Sequence, residues 1–84
     1  MNKVSILFFA TLRDQAGVKT SMMEIRPGET IAELKDDLVK EFPKLAGLME
    51  HSLVSINHEY HFDESVIPEN AEVAFFPPVS GGNS

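Results

Sequence analysis

The residues with the clearest chemical potential are two consecutive glycines near the end of the chain, Gly81 and Gly82. Glycine presents only its backbone and adopts almost any φ and ψ, so a Gly-Gly segment can enter a narrow slot on another protein. Pro77 and Pro78 stand shortly before this segment. Both lack a backbone N–H and favour an extended course, so strand pairing should stop there and the glycines should leave the folded body on a thin tail.

Other residue types that carry out chemistry are scarce or poorly arranged. The chain has no cysteine, which excludes a thiolate nucleophile, a disulfide and a cysteine-based metal site. His58 and His61 are three positions apart, but they fall in a predicted turn and strand rather than on one helix face, and no third ligand is spaced to complete a metal site. No Ser-His-Asp pattern is present. We therefore expect no metal site and no general base or nucleophile.

The charge is acidic and unevenly distributed. The formal net charge is −6, no Lys or Arg follows Lys44, and the six charged side chains after that point are all acidic. Phosphate binding needs clustered basic residues, so nucleic acid is excluded as a ligand. The acids either keep the chain in solution or steer it toward a basic partner surface, and the sequence leaves both interpretations open.

Length and hydropathy indicate a single cytosolic domain. No apolar run approaches the roughly 20 residues that span a membrane, and only Lys3 precedes the first apolar segment, so neither a membrane span nor a signal peptide is predicted. We expect a folded domain over residues 1–77 and a flexible tail over residues 78–84 that carries the two glycines.

Alternation of apolar side chains predicts the strands. In the first strand, Val4, Ile6 and Phe8 share one face, while Leu7 and Phe9 lie on the other, which is too apolar for a face meant only for water. The predicted strands cover residues 3–10, 19–25, 53–57, 60–63 and 72–76, and residues 11–18 are predicted as a loop.

One main helix is predicted between the second and third strands. Thr30 is a good N-cap, and Glu33, three positions later, completes a capping box. Pro43 disfavours helical geometry at the preceding residue, so the helix should end near Phe42. Between these signals, apolar residues recur at helical spacing at Ile31, Leu34, Leu38 and Phe42.

This order of elements predicts an α+β fold, a ubiquitin-like β-grasp in which a mixed sheet of four to five strands carries one main helix on one face. The first and last strands are the most apolar, so they should lie side by side and parallel at the centre of the sheet. The helix should cover one set of side chains, Val4, Ile6, Phe8, Val54, Ile56, Val73 and Phe75.

Several segments resemble the small, sulfur-carrier subunit of molybdopterin synthase, which belongs to the ubiquitin-like β-grasp sulfur carriers. The resemblance runs from about Lys3 to Gly82. Its most specific part is the closing PPVSGG, because a lone Gly-Gly would mean little. The segments that carry it are ILFFA at 6–10, Leu12-Arg13, Gly17 and EVAFFPPVSGG at 72–82. Thiamine sulfur carriers share the fold and the diglycine but lack the Phe-Phe-Pro-Pro that precedes it here.

The resemblance implies a non-catalytic subunit that donates sulfur. An ATP-dependent activating enzyme would adenylate the Gly82 carboxylate, with Gly81 beside it, and a sulfur donor would convert the adenylate to a thiocarboxylate. The tail would then enter the large, catalytic subunit, in a heterotetramer, and pass its sulfur to cyclic pyranopterin monophosphate. No cofactor would be bound by the chain itself, since ATP is used by the activating enzyme.

A partner surface follows from strand parity and from the resemblance together. Parity places Phe9 and Phe76 on the sheet face away from the helix, where exposed aromatic residues suit a partner hot spot. The resemblance adds Tyr60 to this patch, and Arg13 as a polar residue that pairs either with the partner or with the chain's own acidic surface. The predicted partner-binding residues are Phe9, Arg13, Tyr60, Phe76, Pro77, Pro78 and Val79.

Asn83 and Ser84 follow the diglycine and conflict with this chemistry. With them attached, the Gly82 carbonyl is an amide and cannot be adenylated. They are removed in the cell, or they are an addition to the natural sequence, or the chain does not carry sulfur in this form. Three functions therefore remain open: a sulfur carrier for molybdopterin, a ubiquitin-like modifier or carrier for another pathway such as thiamine or tRNA thiolation, and a plain interaction domain.

Overall fold

Residues 2–78 are described by a computed structural model of the chain, and the predicted site residues Val79, Gly81 and Gly82 lie outside them. The described chain forms a five-stranded sheet and two α-helices. Their bounds are β1 (Asn2–Phe8), α1 (Ala10–Ala16), β2 (Thr20–Ile25), α2 (Ile31–Glu41), β3 (Leu53–Ile56), β4 (Glu59–His61) and β5 (Glu72–Phe76), with short 3-10 turns at Pro43–Leu45 and Met49–His51.

The sheet has the predicted mixed topology. Its strand order is β2-β1-β5-β3-β4, and β1 and β5 run parallel at its centre, with Ile6 opposite Val73 and Phe8 opposite Phe75. The other neighbouring pairs are antiparallel. The two most apolar segments thus occupy the middle of the sheet, where each strand has a hydrogen-bonded neighbour on both sides.

Helix α2 covers one face of this sheet, as predicted. Its Ile31, Leu34 and Leu38 are fully buried in one cluster with the side chains of that face. The predicted capping box is present, because the Glu33 N–H donates to Thr30 Oγ1 at 3.3 Å and the Thr30 N–H donates to Glu33 Oε1 at 2.9 Å. The seven side chains predicted to lie under the helix are all buried, namely Val4, Ile6, Phe8, Val54, Ile56, Val73 and Phe75.

The prediction of a loop over residues 11–18 is wrong, because helix α1 occupies most of that segment. Leu12 packs fully buried into the core and holds the helix against the sheet. Phe9 at the N-cap offers no side-chain hydrogen bond, so the usual start signal of a helix is missing from the sequence. Gly17 is the turn residue that was expected: it ends α1 at φ 81°, and its N–H donates to the Arg13 carbonyl. Neither helix within residues 2–78 is long and apolar enough to cross a membrane.

Strand β5 has the predicted bounds, the ends of the other strands differ from the predicted ones by at most two residues, and local turns account for two of the shifts. Asn57 and His58 both have positive φ, 51° and 73°, so the chain turns directly after β3. Strand β4 ends at His61 rather than at residue 63 because a turn follows, in which the Ser65 N–H donates to the Phe62 carbonyl at 3.0 Å.

The loop after β4 is fastened to the start of α2. The Ala32 N–H donates to the Asp63 carbonyl at 2.9 Å, and the Ile31 N–H donates to the Ser65 carbonyl at 3.0 Å. The Lys35 ammonium, whose side chain is largely buried, lies 2.8 Å from the Asp63 carboxylate. These contacts use N–H groups of the first helical turn that have no partner within the helix, so the loop acts as an extension of the cap.

Candidate functional site

The sheet face turned away from α2 carries the candidate site. Register places Phe76 of β5 opposite Leu53 of β3. Two residues before Phe76 in β5, Ala74 lies between Leu7 of β1 and Ser55 of β3. Directly opposed residues point to the same side of a sheet, so these side chains share one surface. Tyr60 joins this surface from β4, opposite Ser55.

Three aromatic side chains meet at the upper end of this surface. The rings of Phe9 and Phe76 are stacked, with centroids 4.7 Å apart and an interplanar angle of 10°. The ring of Tyr60 lies 6.1 Å from that of Phe76 at an angle of 55°. Phe9 is 40% exposed and Tyr60 72%, while Phe76 between them is half-buried. We call Phe9, Tyr60, Phe76 and Leu53 the aromatic face.

Phe9 reaches the aromatic face from a position outside the strand. It is the residue before α1, and its extended backbone still donates from N–H to the Phe75 carbonyl at 3.2 Å. Its own carbonyl accepts from the Leu12 N–H at 3.1 Å, which starts the first turn of the helix. The side chain therefore keeps the direction that strand parity predicted, although β1 ends at Phe8.

Leu53 belongs to the aromatic face but is not among the partner-binding residues predicted from the sequence. It is 40% exposed and stands opposite Phe76. The signal was available, because Val54 and Ile56 point to the helix and their odd-numbered neighbours must point away. A single leucine at the start of a short strand does not by itself predict a partner surface.

The segment that leads to the diglycine leaves from this surface. Strand β5 ends at Phe76, directly beside Phe9, and the two prolines follow outside the sheet. Pro77 is half-buried and Pro78 is exposed. The chain thus emerges from the central pair of strands at the edge of the aromatic face, so a partner that covers this face also receives the emerging segment.

Arg13 lies on α1, four residues after Phe9, and does not belong to the aromatic face. It is exposed beside a shallow depression formed with Asp14, Gly17 and Lys19. Within residues 2–78 its guanidinium forms no ion pair. The described structure therefore leaves this cation available to another molecule.

The three histidines contact three different residues and do not converge on one site. His58 Nε2 lies 3.2 Å from a carboxylate oxygen of Glu72, and His61 Nδ1 lies 3.1 Å from the hydroxyl of Ser65. His51 stands beside Glu50. Across residues 2–78, no three side chains of the ligating types are grouped to hold a metal ion.

Two carboxyl groups among the described residues have shifted pKa values, and both lie at the start of α2, away from the aromatic face. Burial raises the pKa of Glu29 above its usual 4.5, and nearby Asp37 adds to this, although a hydrogen bond from the Arg26 N–H opposes it. The hydrogen bond from the Thr30 N–H lowers the pKa of Glu33. These shifts report on the attachment of the helix, not on the candidate site.

Comparison with known proteins places the chain among small carriers and modifiers. Residues 6–82 match the ThiS family. The chain is 31% identical over 80 residues to a molybdopterin synthase sulfur carrier subunit of Arabidopsis thaliana, covering 95% of this chain and 83% of the relative. It is 35% identical to the protein of the same name in Haemophilus influenzae, covering 94% and 99%.

A solved structure shares the fold. The small archaeal modifier protein 1 of Haloferax volcanii superimposes with a TM-score of 0.84 at 26% sequence identity, covering 94% of this chain and all of that one. The expected ubiquitin-like β-grasp is therefore confirmed. Since the family match extends over most of the chain and through both glycines, this protein belongs to the ThiS family of ubiquitin-like sulfur carriers.

Proposed function

We propose that the chain is the sulfur carrier of molybdopterin synthase and acts in molybdenum cofactor biosynthesis. One observation carries the proposal: the family match runs through the diglycine and stops at Gly82, on a chain whose relatives are named molybdopterin synthase sulfur carrier subunits. The position of β5 supports it, because the chain emerges toward the diglycine from the centre of the sheet.

The chemistry resides in the Gly82 carboxylate. An activating enzyme joins this carboxylate to the AMP part of ATP and releases pyrophosphate, which turns a poor electrophile into one with a good leaving group. A sulfur nucleophile then attacks the acyl carbon, AMP departs, and a thiocarboxylate remains. Each transfer of sulfur to cyclic pyranopterin monophosphate returns a carboxylate, with water supplying the oxygen. The chain contributes a narrow carrier and no catalytic side chain.

The aromatic face is the docking surface in this proposal. Phe9, Phe76 and Tyr60 would be covered by the large subunit, with Pro77, Pro78 and Val79 guiding the tail into its active site. Exposed aromatic side chains beside the exit of the chain support this assignment, because such residues supply most of the binding energy at interfaces. Arg13 would pair with an acidic group of the partner. Two carriers and two large subunits would form the heterotetramer.

Asn83 and Ser84 define the chemical form that can react. The amide bond between Gly82 and Asn83 must be hydrolysed, or must never be present, before a carboxylate exists at Gly82. The proposal therefore assigns activity to the chain that ends at Gly82.

The test compares two forms of the chain, one ending at Gly82 and one at Ser84, each incubated with the activating enzyme, ATP and sulfide. Mass spectrometry should find one oxygen replaced by sulfur in the shorter form only. In the shorter form, Gly82→Val should prevent this change without loss of stability, since a side chain would block the narrow slot. An unchanged mass for the wild-type form ending at Gly82 would refute the proposal.

A ubiquitin-like modifier is the second candidate, and the similarity to a small archaeal modifier protein favours it over a plain interaction domain. The same activated carboxylate would then form an amide with a lysine of another protein. Adding cell extract to the same incubation should reveal protein adducts under this alternative. The appearance of molybdopterin after addition of the large subunit and cyclic pyranopterin monophosphate would instead support the carrier.

A further inference from the structure

The two large apolar side chains with the greatest exposure among residues 2–78 stand together at the edge of the sheet. Tyr60 is 72% exposed and Phe62 is 79% exposed. This exposure does not come from a loosely attached segment. The Phe62 carbonyl accepts from the Ser65 N–H, the Asp63 carbonyl accepts from the Ala32 N–H, and the Asp63 carboxylate holds Lys35. The fold thus presents Phe62 to water on a backbone held by hydrogen bonds, so its exposure is a fixed feature of this surface.

A groove of about 420 Å³ begins at these two rings. We call it the β4 groove. Leu53, Tyr60 and Phe62 form its apolar wall, and the carboxylates of Glu50, Asp63 and Glu64 lie around it. Apolar walls with charged groups at the margin are typical of sites that take a long side chain with a polar end.

The charge of the β4 groove is negative. Lys35 is the one Lys or Arg among its described lining residues, and its ammonium already lies 2.8 Å from Asp63, with only 9% of the side chain exposed. Two histidines also line the groove: His61 Nδ1 lies 3.1 Å from the Ser65 hydroxyl, and His51 Nε2 lies 3.7 Å from Glu50 Oε1. The exposed carboxylates of Glu50 and Glu64 therefore set the sign of the field that an approaching group meets, and they favour a cation.

The β4 groove is continuous with the aromatic face. Tyr60 and Leu53 belong to both, and Phe76 lies 6.1 Å from Tyr60, ring to ring. In addition, among the described residues β4 is an edge strand that pairs with β3 alone, and one side of its backbone can accept a further extended segment. A protein that covers the aromatic face can therefore extend over the edge of the sheet into the groove.

We propose that the β4 groove is a second docking surface, which takes an extended, arginine-containing segment of a protein partner. The guanidinium plane stacks on the rings of Phe62 and Tyr60 and pairs with Glu50 or Glu64. Arginine fits better than lysine, because its planar group stacks on aromatic faces and sheds water more easily. The residues that distinguish the β4 groove, Phe62, Glu50 and Glu64, lie outside the aromatic face and take part in no step of the carrier reaction. Tyr60 and Leu53 are shared with that face.

The test is a titration of the full chain, followed through its amide NMR signals. The probe is a synthetic peptide, acetyl-Gly-Val-Arg-Val-Arg-Val-Gly-amide, and the control is the same peptide with citrulline in place of arginine, which keeps the shape and removes the charge. The arginine peptide should shift signals of residues 50–54 and 59–64. We expect the citrulline peptide to bind about fivefold more weakly, in line with a cation–π contact and an ion pair. Equal binding of the two peptides, or shifts spread over the whole surface, would overturn the proposal.

Substitutions locate the binding further. Phe62→Ala and Glu64→Gln should each weaken the arginine peptide about threefold or more. Val66→Ala and Glu69→Gln are matched controls, since both residues are exposed on the same connection between β4 and β5 but do not line the groove. Unchanged affinity in Phe62→Ala would refute the docking surface. Shifts at the same residues that depend on protein concentration without peptide would refute it as well, because the occupant would then be a second copy of the chain.

Discussion

The two faces of the sheet are built from the same strands but differ in burial. On the face under α2, side chains such as Ile6 and Phe75 are fully buried and join one cluster. On the other face, Phe9 and Tyr60 remain in water although aromatic residues gain most from burial. A period of two residues is therefore sufficient to place core side chains on one face of a short strand and the exposed side chains of the proposed docking surface on the other.

Neighbours in the sequence make this comparison testable. Phe8 and Phe9 are consecutive, as are Phe75 and Phe76, and each pair divides between the two faces. The residue type is the same within a pair, so a difference in effect must come from position. The substitutions below run from the largest expected effect to the smallest.

Phe8→Ala should destabilise the fold by about 3–5 kcal/mol, the usual result of emptying a buried aromatic site. Its ring contacts Phe42 edge-on at 5.6 Å and lies 6.3 Å from Phe75. Phe9→Ala should cost only about 0.5–1.5 kcal/mol, because it loses one aromatic stack on an exposed face. Urea denaturation of both variants measures the two free energies of unfolding. Equal losses would show that the two faces do not differ in the way described.

Phe76→Ala should weaken binding to the large subunit by about 2 kcal/mol or more, since the central residue of an aromatic cluster is the expected hot spot. Leu53→Ala, opposite Phe76 at the margin of the same face, should have a smaller effect. Calorimetric titration of each variant with the large subunit gives the affinities, and urea denaturation confirms that the domain is folded. An affinity for Phe76→Ala that matches wild type would remove the aromatic face as the docking surface.

Thr30→Ala should lower the free energy of unfolding by about 1 kcal/mol, because the capping box that starts α2 loses its acceptor. The covered face depends on this helix, whereas the aromatic face does not touch it. Thr11→Ala, at an exposed position of α1, is the matched control and should leave stability nearly unchanged. The large-subunit affinity of Thr30→Ala should equal that of wild type under conditions where the domain is folded.

Substitution of Glu29 should have the smallest effect on the free energy of unfolding, and the direction of its pH dependence follows from the shifted pKa of this carboxyl. Burial raises the pKa of its carboxyl above 4.5, and one of its oxygens, Oε2, has no hydrogen-bond partner in the described structure. A raised pKa in the folded state means that the proton stabilises the fold at low pH, and that this contribution is lost as the pH rises through the folded-state pKa.

Glu29→Gln should therefore gain stability relative to wild type as the pH rises from about 4.5 toward neutrality, since the amide remains uncharged. Thermal unfolding of both proteins at several pH values measures this difference. Asp36→Gln, an exposed acid on α2, serves as the control for a general change in net charge. A difference in stability that does not vary with pH would contradict the assignment.

Sequence periodicity predicted the strands, the main helix and the central parallel pair, because burial on one or both faces imposes strong patterns. Helix α1 could not be found in this way. It buries a single large side chain, Leu12, and lacks a side-chain cap, so neither of the two usual helix signals is present.

The candidate site was predicted only in part for a related reason. Strand parity gave Phe9 and Phe76 their common face. The exposure of Phe62, however, depends on the turn after His61, which the expected strand over residues 60–63 concealed. The contacts that fix that turn join positions some thirty residues apart in the chain, Ala32 and Asp63, and no local pattern encodes them.

The parallel pairing of β1 with β5 also governs when the sheet can be completed. During synthesis, Ile6 emerges from the ribosome long before Val73, the residue it will lie beside. Until β5 is made, β1 lacks one of its two neighbours and the core lacks Phe75. Contacts between such distant segments close a large loop and form slowly. Completion of the sheet also brings Phe76 beside Phe9. The aromatic face is therefore assembled only when the fold is finished, and the partner proposed for it would meet a carrier that has already folded.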